Sequence, residues 1–343
     1  MENSISKSRA SGGSKGSRET AALSRRTVLA GAAGSLVLAT GFARTTSAQA
    51  REKLRLLIAT SPPDPACHFF FYARDNGFYE KHGLDIDMKT ITAETTTMRA
   101  LLAGEGDIAA FVGATTALQA YSVGGGKVRC ISAFAPKLDY QIIATKDIAN
   151  LKQLEGRSFG ISQVGTVSQF VPSLMLKKSS ADPSKIKWVS IGNSAARLQG
   201  VIGKRVDASA VNASLAKRGL TYDYLHLIGD AAEMLPDFVY TWEITTAEIA
   251  KQKAGAIKAF IEATSEGVRW SMANPDRAIA ISQKVLPDIG KDEISFAIKH
   301  YIDQKAWNAN GILPESTWKF TAQAVVDAGL IKEAPSYDEF VVK

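Results

Sequence analysis

Between residues 54 and 242 short apolar runs alternate with amphipathic stretches, and most runs end in glycine or small polar residues. A short apolar run bounded by turn residues reads as a buried strand, and a 3.6-residue apolar period reads as a helix. Strands are expected over 54–60, 107–112 and 128–134, then over 158–162, 188–191, 207–211 and 224–228. Helices fill the intervals at 67–76, 95–103, from 114, at 166–178 and at 193–202. In 84–88, Leu84, Ile86 and Met88 alternate with Asp85 and Asp87, the pattern of a half-buried strand whose aspartates share the wet face. Two further stretches, 138–145 and 238–242, read as extended crossings. From 245 onward the pattern is nearly all helix, broken at Asn274-Pro275, Leu286-Pro287 and Leu313-Pro314. Alternating strands and helices followed by a helical tail predict an α/β chain.

One unit occurs twice. Residues 101–118 read LLAGEGDIAAFVGATTAL and residues 201–215 read VIGKRVDASAVNASL. In each, a helix is expected to stop at a glycine (Gly104, Gly203), since glycine takes positive φ without a Cβ clash. A charged turn leads to an aspartate (Asp107, Asp207) and then to a short strand. The strands finish in Gly113-Ala114-Thr115-Thr116 and in Asn212-Ala213-Ser214, residues suited to cap the next helix. Two such units predict two lobes of similar design, with strand C-termini and helix N-termini lining a cleft.

Length and charge change this picture little. The 343 residues suffice for two lobes. Of the formal charge of +7, the first fifty residues carry +5, so the body is nearly neutral and lacks the basic face of a nucleic-acid binder. Those fifty residues have their own logic. A polar tail leads to Ser24-Arg25-Arg26, then to an apolar stretch over 28–42, then to Ala48-Gln49-Ala50, a small-x-small cleavage site. This is the layout of a bacterial export signal, and the paired arginines point to the twin-arginine route. Fifteen apolar residues are fewer than the ~20 a membrane span needs. The mature chain is expected to start near Arg51 and to work in the periplasm.

Groups for bond-making chemistry are scarce. Cys67 and Cys130 match no metal or redox spacing and are expected to be free thiols. The four histidines have no zinc-binding partner at the usual spacing, so no metal and no cofactor are expected. Gly124-Gly125-Gly126-Lys127 lacks the hydroxyl of a phosphate loop and precedes a strand, so it reads as a turn. His68, beside the proline-rich loop Ser61-Pro62-Pro63-Asp64-Pro65, is the one histidine with a place near a cleft.

Several stretches, in order, carry a family resemblance: GFYEKHGLDIDM at 77–88, ALLAGEGDIAAFVGAT at 100–115, GGGKVRCISAF at 124–134, LKQLEGRSFGIS with GTVSQ at 151–169, and GKRVDASAV at 203–211. Together they resemble the solute-binding proteins of ABC importers, in the branch serving nitrate, sulfonate, taurine and thiamine-precursor uptake. The resemblance implies a two-lobed periplasmic-binding-protein fold (type II) with two crossovers, and no enzyme activity. One lobe would comprise 51–139 and 243–343, and the other 140–242. Contacts to a small organic solute would come from Ser61, Asp64, Cys67 and His68 on the first loop. Gly113, Ala114, Thr115 and Thr116 would follow the third strand, and Gly165, Thr166, Ser168, Asn193, Ser194, Asn212 and Trp242 would complete the set. The implied partner is an ABC permease, served by a monomer. The pyrimidine-binding members' tryptophan ahead of the first-loop proline is absent at Thr60-Ser61-Pro62, as is the cysteine-rich motif of the related pyrimidine synthase. An exported enzyme using His68 and Cys67, or a sensory binding protein feeding a receptor kinase, remain the other readings.

Arg99 and Arg197 both fall within predicted helices, so no arginine is expected to point into the cleft. Helix N-termini would then hold the ligand, because each carries about half a positive charge and unpaired N–H donors. Thr115 and Thr116 on one lobe, and Thr166 and Ser168 on the other, mark these termini. The aromatics from Phe69 to Tyr72, or Trp242, would cover the apolar part of a small organic anion or zwitterion.

Overall fold

The computed structural model describes residues 50–342; the export signal expected over 1–50 lies, but for its last residue, outside the described residues. Among the described residues, ten strands form two five-stranded sheets. They are β1 (Glu52–Ile58), β2 (Leu84–Thr90), β3 (Ile108–Gly113), β4 (Val128–Ser132), β5 (Gln141–Thr145), β6 (Ser158–Ile161), β7 (Lys187–Ser190), β8 (Ala208–Val211), β9 (Leu225–Asp230) and β10 (Thr241–Thr246).

The first sheet runs β2-β1-β3-β10-β4 and the second β7-β6-β8-β5-β9. In the first, β1 pairs parallel with β2 and β3, and β10 enters antiparallel between β3 and β4. In the second, β6 pairs parallel with β7 and β8, and β5 enters antiparallel between β8 and β9. The two sheets therefore share one plan, and each takes its fourth strand from just beyond the other sheet's stretch of chain. The extended stretches expected at 138–145 and 238–242 supply these strands. The second runs further than its apolar pattern suggested: Ile244, Thr245 and Thr246 continue β10, and the helix waits for Thr246 to cap it through Ile249 N–H. Three β-branched residues in a row favour a strand over a helix start.

Parallel strands buried on both faces should be apolar throughout. β3 and β8 are fully buried along their length, whereas β2 at the sheet edge alternates and leaves Asp85 and Asp87 exposed. The main apolar core surrounds the first sheet and continues onto one face of the second; a smaller cluster around Ile143, Leu198, Val201 and Leu215 fills the other face. The helical tail is built on the first sheet's helices. Phe70 stacks on Phe260, and Gly267 lies so near Phe69 that an added Cβ would meet its carbonyl oxygen at 2.9 Å. Helix Lys291–Asp303 then reaches the second sheet's side, where Lys217 sits 4.0 Å above the Phe296 ring and Arg218 lies 3.8 Å from Glu293. Among the described residues no helix is long and apolar enough to cross a membrane.

Candidate functional site

A cavity of about 350 Å³ opens where the C-terminal ends of the two sheets face each other. Its floor is aromatic. Tyr140 immediately precedes β5 and Tyr240 immediately precedes β10, and their rings meet edge to face at 5.2 Å. Phe111 packs on Tyr240 at 5.6 Å and holds φ at +57° within β3. That backbone region is costly for a bulky residue, and such strain concentrates at functional sites. Val285, Leu286, Ile289 and Ile294 of the helical tail close a further side.

The first loop brings Asp64 to the cavity as the N-cap of the short helix Pro65–Cys67, its Oδ1 accepting Ala66 N–H at 3.0 Å. Its Oδ2 accepts Asn212 Nδ2–H at 2.9 Å from the second sheet's side. Burial raises the Asp64 carboxyl to about 6, against the lowering pull of those hydrogen bonds. Further bonds join the two sides, among them Asn193 Nδ2 to Ser61 O at 3.4 Å, Thr95 Oγ1 to Gln163 Oε1 at 2.9 Å, and Gln119 Nε2 to Gly165 O at 2.9 Å. The molecule is seen with its lobes in contact.

Asn193 and Asn212 each cap a helix at a strand end, accepting Ala196 N–H and Leu215 N–H. With Thr166 and Ser194 they line the cavity, so Asp64, Thr166, Asn193, Ser194 and Asn212 of the expected contacts come together there. The others take different places. Ser61 stands behind the loop, its carbonyl used by Asn193 and its hydroxyl by Thr90. Cys67 and His68 are fully buried. The Cys67 thiol donates to Asp64 O and burial pushes it well above the usual range, while burial drops the His68 imidazole to about 3. His68 Nε2 meets Pro63 O at 3.4 Å and its ring packs edge-on against Phe71 and Tyr72. Cys67 and Cys130 are free. Trp242 lies under β10 against Phe340, since its position in the strand faces the core. Phe69 to Tyr72 likewise pack inward, against Phe134, Phe260, Trp270 and Trp307.

The helix N-terminus expected to hold an anion on the first lobe is already served. Gly113 is packed against Val167 and the Glu94 carboxylate, and Glu94 Oε2 accepts Thr116 Oγ1–H at 2.6 Å. Ala114 and Thr115 sit behind it, fully buried. On the second lobe Ser168 is buried too, bonding Ser162 N–H at 2.8 Å and sharing its hydroxyl with Ser162 and Thr166. Gly165 takes φ +82° and presents its carbonyl to Gln119.

The cavity wall includes four charged residues outside the expected contacts, Glu94, Arg197, Asp288 and Glu293, of which the first two are the more deeply buried. Glu94 opens helix Glu94–Leu102, and burial raises its carboxyl. Arg197, expected to point elsewhere, lies at the wall and is 2% exposed. Its Nε–H donates to Ala210 O, one Nη1–H to Gly192 O and one Nη2–H to Ser194 Oγ, and Tyr140 lies beneath the guanidinium at 5.6 Å. The missed signal is directional. Long helical side chains lean toward the N-terminus, so an arginine in the first turn after the Asn193 cap points back at the strand end.

Comparison with known proteins agrees with this architecture. The profile of the family described as NMT1/THI5 like matches residues 64–278. The putative binding protein YtlA of Bacillus subtilis is 24% identical over 290 residues, spanning 80% of this chain and 85% of its own. Among solved structures, the periplasmic aliphatic sulphonate binding protein SsuA from Escherichia coli superposes with a TM-score of 0.69 at 15% identity, covering 85% of this chain and 92% of that one. The periplasmic nitrate-binding protein NrtA from Synechocystis PCC 6803 superposes with a TM-score of 0.61 at 14% identity, covering 84% and 92%. These likenesses identify the architecture as the periplasmic-binding-protein fold.

Proposed function

The chain belongs to the NMT1/THI5-like family, and from that premise we propose that it is a periplasmic solute-binding protein delivering a small organic anion or zwitterion to an ABC permease. One observation carries this reading: a cavity of small-molecule size lies between two sheets of the same plan, bridged by hydrogen bonds across its mouth. The sulphonate- and nitrate-binding proteins on this fold, and the binding protein YtlA, support it. In this reading the lobes are 51–139 with 243–343, and 140–242. Export follows the twin-arginine signal at Arg25 and Arg26, and the protein acts as a monomer without catalysing a reaction. Asp64, Thr166, Asn193, Ser194 and Asn212 contact the solute, Arg197 and Glu94 join them, and the Tyr140–Tyr240 floor is the hinge between β5 and β10. Hinge closure of this kind absorbs the motion in a few residues while both lobes stay rigid. The enzyme reading has no support at the cavity, because His68 and Cys67 are buried away from it.

Small-angle scattering, with and without a solute that raises the melting temperature, tests the function. Saturating ligand should reduce the radius of gyration, and ligand at a hundred times its Kd should add about 2.7 kcal/mol to stability. An unchanged radius at saturation, or turnover of the bound compound, would overturn the reading.

A further inference from the structure

The cavity wall holds an imbalance of charge that its protein contacts leave unresolved. Arg197 is almost wholly buried, yet among the described residues it makes no ion pair, and its three bonded N–H groups go to two carbonyl oxygens and a hydroxyl. Five donors on a guanidinium leave two N–H groups to be met at the wall. The guanidinium charge acts through space on Asp64 and Glu94, but no carboxylate touches it. A desolvated charge without a contacting counter-ion is expensive, so the site is suited to receive an anionic group there. Four carboxyls line the same cavity: Asp288 is exposed and Glu293 lies 3.8 Å from Arg218, whereas Asp64 and Glu94 lack an ion-pair partner among the described residues and accept hydrogen bonds only from neutral donors. They outnumber the arginine, so a plain anion would bring negative charge to a wall with more acid than base. A plain cation would leave Arg197 unmet. Between the charged groups the wall is the apolar floor of Phe111, Tyr140 and Tyr240.

We propose that the cavity takes a zwitterion with an apolar body, its carboxylate or sulfonate on the free N–H groups of Arg197 and its N–H-bearing ammonium on the carboxyls of Asp64 and Glu94. The assignment rests on the cavity being the solute site. It narrows the ligand from anion or zwitterion to zwitterion, and it gives the two acids a role in recognition.

Matched triads test it. Each triad contains a zwitterion, the acid lacking its amine and the amine lacking its acid: phenylalanine, hydrocinnamate and phenethylamine, or para-aminomethylbenzoate, para-toluate and benzylamine. Sugars and pyrimidines complete a thermal-shift panel, followed by calorimetry on the mature protein. A zwitterion should bind at least about tenfold tighter than either of its halves, the least one charge-assisted hydrogen bond supplies. Asp64→Asn should reduce the zwitterion's preference over the acid to under about threefold. Glu94→Gln is the second arm should Asp64→Asn melt early, and Arg197→Met should erase the preference over the amine. An acid that matches its zwitterion, a preference that survives both carboxyl variants, or hits confined to sugars or pyrimidines would overturn the assignment and leave the solute-binding function standing. A panel in which no compound of any class binds would overturn both.

Discussion

The two crossing strands occupy the same place in their sheets and differ in what they carry. β5 and β10 are each the fourth, antiparallel strand, and each follows a tyrosine at the cavity floor. The interior of β5 is Ile142, Ile143 and Ala144, all fully buried and apolar. β10 has Glu243 at the corresponding depth, fully buried, where its pairing with both β3 and β4 slips register. Its Oε2 accepts Ser132 Oγ–H at 2.8 Å and Phe134 N–H at 3.2 Å, but burial still raises the carboxyl to about 8. One plan thus yields one neutral sheet centre and one titratable one. The two lobes should respond differently to pH although their topology is the same.

The largest expected effect follows from that difference. An acid whose folded pKa lies above its unfolded value binds its proton more tightly when folded, so it favours the fold at low pH. That contribution declines as pH rises from about 4.5 and is fully lost above about 8. Each unit of difference corresponds to about 1.4 kcal/mol, so Glu243 alone accounts for an upper bound of ~4 kcal/mol between roughly pH 5 and pH 8. Glu243→Gln keeps an acceptor for Ser132 and Phe134 and should flatten the urea-denaturation profile over that interval. A variant as pH-sensitive as the parent would remove the distinction between the two crossing strands.

The second contrast lies at the opposite ends of the sheets. Asp107 and Asp207 stand at matching positions and make the same backbone ladder. Asp107 N–H donates to Arg55 O while its Oδ2 accepts Arg55 N–H; Asp207 does the same with Ser158. Around this shared motif the surroundings diverge. The Asp107 side chain is 1% exposed and pairs with Arg55 at 3.0 Å and Lys253 at 3.2 Å, and the hydrogen bonds from Arg55 and Lys253 hold it below the usual carboxylate range despite burial. Asp207 is partly exposed, with the Ser158 hydroxyl at 2.6 Å and Arg157 only at 3.8 Å. Asp107→Ala should therefore cost about 3 kcal/mol and Asp207→Ala about 1 kcal/mol, because only the first removes a buried carboxylate held by two cations. Equal losses in chemical denaturation would show that the ladder dominates and the cations do not.

Much of this was legible in the chain, for a physical reason. Strand cores, the duplicated aspartate unit and the two crossings are fixed by local apolar pattern and by turn chemistry, which short windows of sequence record. The cavity was half legible. Asp64, Thr166, Asn193, Ser194 and Asn212 were found because capping residues at strand ends face a cleft in this architecture. Glu94, Arg197, Tyr140, Tyr240 and Phe111 were not, since their place depends on which helix starts and strand ends meet across some fifty to a hundred residues of chain. Thr115, Thr116 and Ser168 had the right residue types at helix starts, but Glu94 and Ser162 claimed the hydroxyls of Thr116 and Ser168, and the Thr115 hydroxyl is buried without a hydrogen-bond partner. Where a helix end can be satisfied from within, residue type at the end does not reveal a ligand.

The smallest contrast is at the helix ends that open the repeated unit, where the glycine of the second copy is displaced by one residue. After helix Glu94–Leu102 the left-handed position falls on Gly104, at φ +77°. After helix Ser194–Ile202 Gly203 keeps φ −79°, and the left-handed position falls on Lys204, at φ +55°. The glycine expected to end the second helix is therefore one place early, and a lysine takes a conformation that costs a residue with a Cβ about 1–2 kcal/mol. Lys204 offsets part of this by holding its ammonium 5.2 Å above the Tyr224 ring. Gly104→Ala should then destabilise the protein by about 1 kcal/mol. Lys204→Gly should stabilise it by about 0.5 kcal/mol, relief of the strained backbone outweighing the lost ring contact and the greater freedom of glycine in the unfolded chain. Differential scanning calorimetry at neutral pH resolves the two signs. A Lys204→Gly variant that melts lower than its parent would mean that the contact with Tyr224, and not backbone relief, decides how the second copy ends its helix.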